Sequence, residues 1–591
     1  MEGHKEVLSE EGFTSHKIWN QRRGGLRATM FLYVMTGLEN MAFVANVTSL
    51  VLYFILVFHF GASEAATTVT NFLGGTFLLS ILGGFISDTY MSRLNTCLIF
   101  GLLEVLGYVL VTIQAHYPKL HPSTTCVKDC LKGGASIMFY SSLCLLALGG
   151  GGVRGAFPSL GADQYDQSDP KERKQMASFF NFMMLSVTMG ATIGVTVIVK
   201  VSMDKGWDKG FFISSLAAFV GFAVLILGKP FYRPRVPGDS PLIRVMQVIV
   251  AAFRNRRLSL PEDSDELYEL KEAYVDGGKI PHTNQFRLLD KAAILPNGST
   301  PEPGRVCTVT QVEEFKILTR MMPIIGSTII MNTCLAQLQT FSVQQGNYMD
   351  LHLGSSSFKV PPPSIPVIPL VFMAVLIPIY EFFFVPFARK ITKHPSGITH
   401  LQRVGVGLVL SVFSMGVAGM IEVKRRDALN IDHKQISIFW LSFQYAIFGI
   451  ADMFTLIGLL EFFYSEAPAG MRSLSTSFAF LSLSFGFFLS SAFVGLINSV
   501  TRRVTESKRG WLEGDLNENK LNLFYWFLAI LSCLNFGNYL FWASWYKYKA
   551  DEMTLEGSPI KKETVEVFTV ENGAGSSVFS KGCSEAEQEG Q

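Results

Sequence analysis

Twelve runs of mostly apolar residues, each long enough to cross a bilayer as a helix, constrain this chain more than any other feature. A spanning helix needs roughly 20 such residues. Runs of this kind fall near 28–57, 66–87, 94–115, 135–160, 177–202 and 210–228, and again near 315–345, 364–388, 404–422, 436–465, 473–499 and 521–546. A backbone in hydrocarbon must satisfy its own N–H and C=O groups, so the runs are expected to be helices and the fold all-α. Several exceed the minimum length and must tilt or project beyond the bilayer. Hydrophobic residues make up 49% of the 591 and 49 are phenylalanine, more apolar sequence than a soluble core requires. A net charge of +2 gives no reason to expect nucleic acid as a partner.

The runs divide six and six around a polar segment. The sequence therefore predicts a segment 1–27, a six-helix bundle over 28–228, a linker over 229–314, a second six-helix bundle over 315–546 and a tail over 547–591. This is the layout of a major facilitator transporter, whose halves are repeats with the solute site between them near the midplane. The linker carries Arg254, Arg256 and Arg257, then acidic residues from Glu262 to Glu272, then Pro296, Gly298, Pro301, Pro303 and Gly304. That composition suits a hydrophilic connector with one amphipathic helix.

No short apolar stretch with a cleavage site precedes the first run, which is expected to target the chain itself. The linker and the Arg389–Lys393 cluster favour cytosolic termini. Lys424, Arg425, Arg426, Arg502 and Arg503 work against that orientation. Trp542, Trp545, Tyr546, Lys547 and Lys549 suit the interface where the last helix leaves the bilayer. The Glu-, Ser- and Gly-rich tail after Met553 reads as unstructured. Cys126 and Cys130 lie four residues apart in a polar loop, a tight separation for a disulfide, and the remaining cysteines read as small buried hydrophobes.

Ionisable residues inside spans are costly and are functional candidates by default. Glu39 lies in span 1, Glu104 in span 3, Arg154 in span 4, and Asp452 and Glu461 in span 10. Arg154 follows the run Gly149–Gly152, where small residues allow close helix approach. Arg154 and Glu461 fall at similar depth on opposite halves, about 10–14 Å from the span ends. The sequence therefore predicts a pair across the central cavity, broken and remade as the halves rock. Asp452, nine residues before Glu461, falls on the opposite helix face and is expected to be paired within its own half. Glu104 is expected to be peripheral and structural.

Span 1 presents Thr36, Glu39, Asn40, Phe43 and Asn46 as one polar stripe. Span 7 presents Asn332, Gln337, Gln339, Ser342 and Gln344 in the same way. Such stripes line a cavity or hold helices together. Asn46-Val47-Thr48 and Asn297-Gly298-Ser299 match a glycosylation acceptor, but the first lies in a span and the second in the linker. No Gly-Lys-Ser/Thr phosphate loop is present, which argues against an ATP-driven pump. No metal-type cluster or nucleophile–base pair suggests an enzyme. No cofactor is implied.

Several stretches resemble the plant nitrate transporter 1/peptide transporter family, part of the proton-coupled oligopeptide transporters. Gly84-Phe-Ile-Ser-Asp88 with Arg93 is similar to the loop between spans 2 and 3. Phe157-Pro-Ser-Leu-Gly161-Ala-Asp163-Gln-Tyr165-Asp166 and Phe179-Phe-Asn181 through Gly190 resemble the two family signatures. Leu460-Glu461-Phe-Phe, Glu466-Ala-Pro468 and Met471-Arg472-Ser473 resemble the span 10–11 segment. Glu39-Asn40-Met-Ala-Phe and Phe85-Ile-Ser-Asp88-Thr-Tyr are most similar to the subfamily with abscisic acid and gibberellin transporters.

The resemblance implies a rocker-switch importer driven by protons, with the span 4 cation and the span 10 glutamate near the substrate. Arg154 stands where many members carry lysine. Two departures stand out. The span 1 coupling motif, Glu-x-x-Glu-Arg in the family, reads Thr36-Gly-Leu-Glu39-Asn40 here. At the position where a nitrate transporter uses histidine stands Leu335, which can neither donate to nitrate nor take up a proton.

The expectation is a multi-pass plasma-membrane protein with cytosolic termini that imports a small organic carboxylate of the plant-hormone type with protons. Arg154, Glu461, Asn40, Phe43, Asn332, Leu335 and Gln339 would bind substrate, and Glu39 and Glu461 would couple protons. Nitrate transport and ligand sensing without flux are the alternatives. Thr96, three residues after Arg93, resembles a phosphorylated position, which would make a protein kinase a partner; a plain helix-start threonine explains it equally.

Overall fold

The computed structural model describes residues 24–548 except 61, 122–132, 167–168, 234–240, 262–266, 270–279, 281, 296–305, 347, 353–364, 393–396, 432, 505–509, 513–515 and 518. Cys126, Cys130, Asn297 and the tail after Met553 lie outside the described residues. Twelve helices among the described residues are long and apolar enough to cross a membrane. In chain order spans 1–6 are Gly25–Leu56, Thr67–Thr89, Arg93–His116, Gly134–Ala162, Lys171–Lys205 and Trp207–Phe231. Spans 7–12 are Val309–Gly346, Val367–Thr392, His400–Asn430, Ile438–Glu466, Arg472–Val504 and Leu521–Trp545. Alternation puts the ends at Gly25, Phe231, Val309 and Trp545 on one face, called here the linker face.

Local chemistry sets several boundaries. Ser92 caps span 3 by accepting from the Asn95 N–H, and Asp169 caps span 5 by accepting from the Lys171 N–H. Thr399 and Gln402 form a capping box that starts span 9. Span 9 runs to Asn430, eight residues past the expected end. The polar extension is held by Glu422–Arg425, an ion pair at 2.8 Å. Span 7 starts at Val309 rather than 315, so Glu313 and Glu314 are helical. π-turns interrupt span 5 at Gly194–Ile198 and span 8 at Tyr380–Phe384. The second re-aims the buried Glu381.

Glycine sets the packing of span 4. A Cβ on Gly149 would meet the Glu104 backbone N at 2.4 Å, and one on Gly155 would meet the Ser80 carbonyl oxygen at 2.0 Å. Spans 2 and 3 therefore close directly onto the backbone of span 4.

The halves meet through spans 2 and 11, where Phe77 stacks on Phe480 and Phe487 and Ser484 donates to the Gly74 carbonyl. They meet again through spans 5 and 8, where Phe182 lies against Phe382. In the linker segment one helix, Pro241–Arg254, leaves Ile243, Met246, Val250 and Phe253 exposed along one side. A small cluster of Val248, Ala251, Ala292, Ala293 and Val312 joins that segment to span 7. On the face opposite the linker, Lys424 lies over the Trp440 ring at 3.4 Å and Arg426 donates to Asn522 at 3.2 Å.

Candidate transport site

Two of the buried charge clusters, one around Arg154 and one around Glu461, involve the charged residues of spans 1, 3, 4 and 10. In the first, the Arg154 Nη2 donates to Glu39 Oε1 at 2.6 Å, and both side chains are nearly inaccessible. The guanidinium lies over the Phe43 ring at 4.0 Å, and Asn40 donates to Glu39 Oε2 at 2.7 Å. Arg154 Nη1 is buried and has no hydrogen-bond partner. Glu104 completes the centre. Its Oε1 and Arg154 Nη1 both approach one point beside Gly150, at 3.2 and 2.7 Å, and Tyr108 donates to Glu104 at 3.5 Å.

In the second centre, Glu461 lies 3.6 Å from Arg403 Nη1 and 3.5 Å from His400 Nδ1. Arg403 Nη2 donates to Asn181 Oδ1 at 2.6 Å, which carries the network from span 9 to span 5 in the other half. Asn181 in turn donates to Glu381 Oε2 at 2.6 Å, and Ser178 donates to Glu381 Oε1.

The predicted Arg154–Glu461 pair is therefore not formed in this structure: each charge finds a partner within its own half. Matched depth fixes one coordinate only, and spans 1 and 9 supply nearer counter-charges. Glu104 is not peripheral, because Gly149 lets span 3 sink against span 4 beside Arg154. Asp452, expected to be paired, is half-buried and has no ion pair or hydrogen bond among the described residues. Among the described residues, the buried cations Arg403 and Arg425 of its half are committed to Asn181 and Glu461 and to Glu422, and Lys316 and Arg320 to Glu313.

The polar stripes split. Asn332 donates to Ser482 at 2.9 Å and Gln337 to Ser490 at 2.7 Å, so these two amides tie span 7 to span 11. That commitment counts against Asn332 as a substrate contact in this state. Leu335 and Gln339, four residues apart, stay off that interface; Leu335 is half-buried and Gln339 exposed. Leu335, Leu456 and Phe480 pack against the same apolar cluster as Phe43, so both halves contribute to the wall beside Arg154. In span 1, Asn46 is 3% exposed, and neither atom of its amide has a hydrogen-bond partner among the described residues.

The stretches that carry the sequence resemblance converge at the linker face. Arg93 pairs with Asp163 and, at 3.0 Å, with Asp88. Tyr464 of span 10 donates to Asp163 Oδ1 at 2.7 Å, and Arg472 lies 3.7 Å from the same oxygen. The Leu474 N–H donates to Asp88 Oδ2 at 2.8 Å, and Ser159 and Thr476 are hydrogen-bonded at 3.1 Å. Seven side chains and one backbone N–H from both halves thus close that face. Thr96, just inside it, is fully buried, with its hydroxyl donating to the Ser92 carbonyl at 3.2 Å.

Sequence reasoning missed Arg403, Glu381 and Asn181. Arg403 sits one residue before the expected start of span 9, and Glu381 sits inside span 8, where an intramembrane acid was itself the signal. One other group of possible ligands, His282, Asp290 and Glu313, lies in and beside the linker. Lys316 Nζ is 2.6 Å from both carboxylates and occupies the position that a cation would take.

Comparison with known proteins agrees with this architecture. The POT family model matches residues 94–512. Protein NRT1/PTR FAMILY 4.3 of Arabidopsis thaliana is 44% identical, covering 89% of this chain and 90% of its own length. Protein NRT1/PTR FAMILY 4.6 of the same plant is 40% identical, over 93% of this chain and 99% of its own. A crystal structure of an auto-inhibited POT family peptide transporter shares the fold, with a TM-score of 0.59 at 19% identity over 88% of this chain and 97% of that one. These relationships, with twelve spans and a buried charge centre in each half, show that the chain is a membrane transporter of the POT family, in its plant NRT1/PTR branch.

Proposed function

We propose that this protein imports a small organic carboxylate of the plant-hormone type together with protons. The observation that carries this reading is Arg154: one guanidinium arm is held by Glu39, and Nη1 is buried without a partner. A buried cationic donor over the Phe43 ring, in an apolar cluster against which Leu335 also packs, suits a carboxylate head on an apolar body. Leucine at 335 offers nitrate no donor, and that favours the organic acid over the inorganic anion. Glu461, balanced by Arg403 and His400 beside the inter-half network, is the second coupling group, since protonating it would release Arg403. A cytosolic linker face at the plasma membrane fits import. The opposing cations Lys424, Arg425 and Arg426 are each engaged in local contacts.

The test is uptake in proteoliposomes with a panel of hormone-type acids and nitrate at two external pH values. Organic acid uptake should exceed nitrate uptake and rise as external pH falls, after correction for the ionised fraction of the acid. Arg154→Ala should abolish it while the protein still reaches the membrane. Robust nitrate uptake with no uptake of any acid would replace this reading with nitrate transport. Specific binding of an acid with no flux would replace it with a sensor.

A further inference from the structure

The span 1 motif lacks one of the two carboxylates that its family pattern carries, yet the first charge centre holds two. Glu39 comes from span 1 and Glu104 from span 3, and both carboxyls are buried around the Arg154 guanidinium, at 6% and 3% residue exposure. The surroundings contain one full positive charge, Arg154, whose Nη2 is spent on Glu39. Its Nη1 has no partner, although that atom and Glu104 Oε1 both approach one point beside Gly150, at 2.7 and 3.2 Å. Other polar groups facing the centre are Asn40 on span 1 and Tyr108 on span 3, and both act as donors. One arginine against two buried carboxyls balances only when a proton makes up the second charge.

We infer that Glu39 and Glu104 together form a proton-binding site in which Glu104 of span 3 supplies the carboxyl that span 1 lacks. The inference rests on the proton-coupled reading above and names the site of that coupling. In the state described, the shared proton leaves Arg154 paired with one carboxylate and one arm uncommitted. When a substrate carboxylate takes that arm, the centre holds one arginine, the substrate charge, one glutamate charge and the shared proton. Loss of the proton towards the linker face leaves Glu39 and Glu104 both ionised and competing with the substrate for Arg154, which favours release. Only O–H bonds are made and broken. The proton enters from water on the substrate-loading side and leaves to water on the other.

The inference is tested on the full-length protein in proteoliposomes, with the best acid from the uptake panel. For one-proton coupling, a gradient of one pH unit supports about tenfold accumulation. Glu104→Gln is expected to bring that ratio to about one, while exchange of labelled for unlabelled substrate across equal pH continues. Glu104→Asp should restore part of the gradient-driven accumulation. A Glu104→Gln protein that accumulates substrate as the wild type does would overturn the inference.

A second readout needs no substrate. The infrared band of this protonated carboxyl in the purified protein should vanish in both Glu39→Gln and Glu104→Gln, and should persist in Glu461→Gln. A band indifferent to both Glu39→Gln and Glu104→Gln would also overturn the inference. If wild-type transport ignores the gradient, the coupled reading fails, and the infrared result then decides whether the shared proton exists.

Discussion

Replacing Tyr464 by phenylalanine removes one oxygen and leaves the ring. The hydroxyl donates to Asp163 at 2.7 Å across the two halves and accepts from Arg472 at 3.2 Å within its own half. The ring contacts that remain are the tilted pair with Phe180, at 5.9 Å between centroids, and the Arg472 guanidinium 4.7 Å above its face. The perturbation is therefore confined to the latch. A hydrogen bond to a charged group contributes about 1.5–3 kcal/mol. Asp163 keeps Arg93, so the lower part of that range applies. A loss of about 1.5–2 kcal/mol from the state closed at the linker face shifts its ratio to the open state by about 10–30-fold. Spin labels at Asn95→Cys and Lys390→Cys, both exposed and one in each half, would read this as growth of a longer-distance population. Apparent affinity for external substrate should weaken in step wherever the closed state is the one that loads. Tyr464→Phe with an unchanged distance distribution and wild-type thermal stability would show that this bond does not hold the face shut.

Other substitutions probe other parts of the argument. Leu335→His should raise any nitrate flux more than organic acid flux, read as the ratio of the two uptakes; an unchanged ratio would remove Leu335 from selectivity. Thr96→Asp places a charge at a fully buried position and should lower the melting temperature and alter uptake, whereas Thr96→Ala should stay near wild type. Identical transport by the two would end the idea of regulation through Thr96. Gly149→Ala puts a methyl 2.4 Å from the span 3 backbone and should cost about 1–3 kcal/mol or more, measured as a lower unfolding temperature. Gly326→Ala, with nothing within 4 Å of the new Cβ, is the control and should be neutral or slightly stabilising.

The twelve spans were legible because hydrocarbon imposes a length and a composition that a linear reading detects directly. Glu39, Glu104, Arg154 and Glu461 were legible for the same reason, since each stands out against an apolar run. Their pairing was not. Arg154 and Glu461 share a depth, but rotation about each helix and the order of helices around the bundle decide which charge meets which. The place of Glu104 depended on Gly149, whose missing side chain matters only once span 3 is known to lie there. Asn332 and Leu335 sit three residues apart on span 7 and read alike as cavity candidates. Only the position of span 11 showed that the first is committed to Ser482. Arg403 escaped because the expected helix began one residue late.

Span 7 is 38 residues long, about 57 Å of helix against roughly 30 Å of hydrocarbon. Its first turns carry Glu313, Glu314, Lys316 and Arg320, which grip Asp290, Thr283 and Arg244 of the linker through buried ion pairs and hydrogen bonds. At most about 27 Å of the helix therefore lies beyond the hydrocarbon, and the gripped part of the linker is fixed to the tip that carries Glu313 to Arg320. A tilt of a few degrees at the substrate level becomes a displacement of several ångströms at the tip, so an antibody fragment or dye fixed near Thr283 would register each transport cycle as mechanical travel.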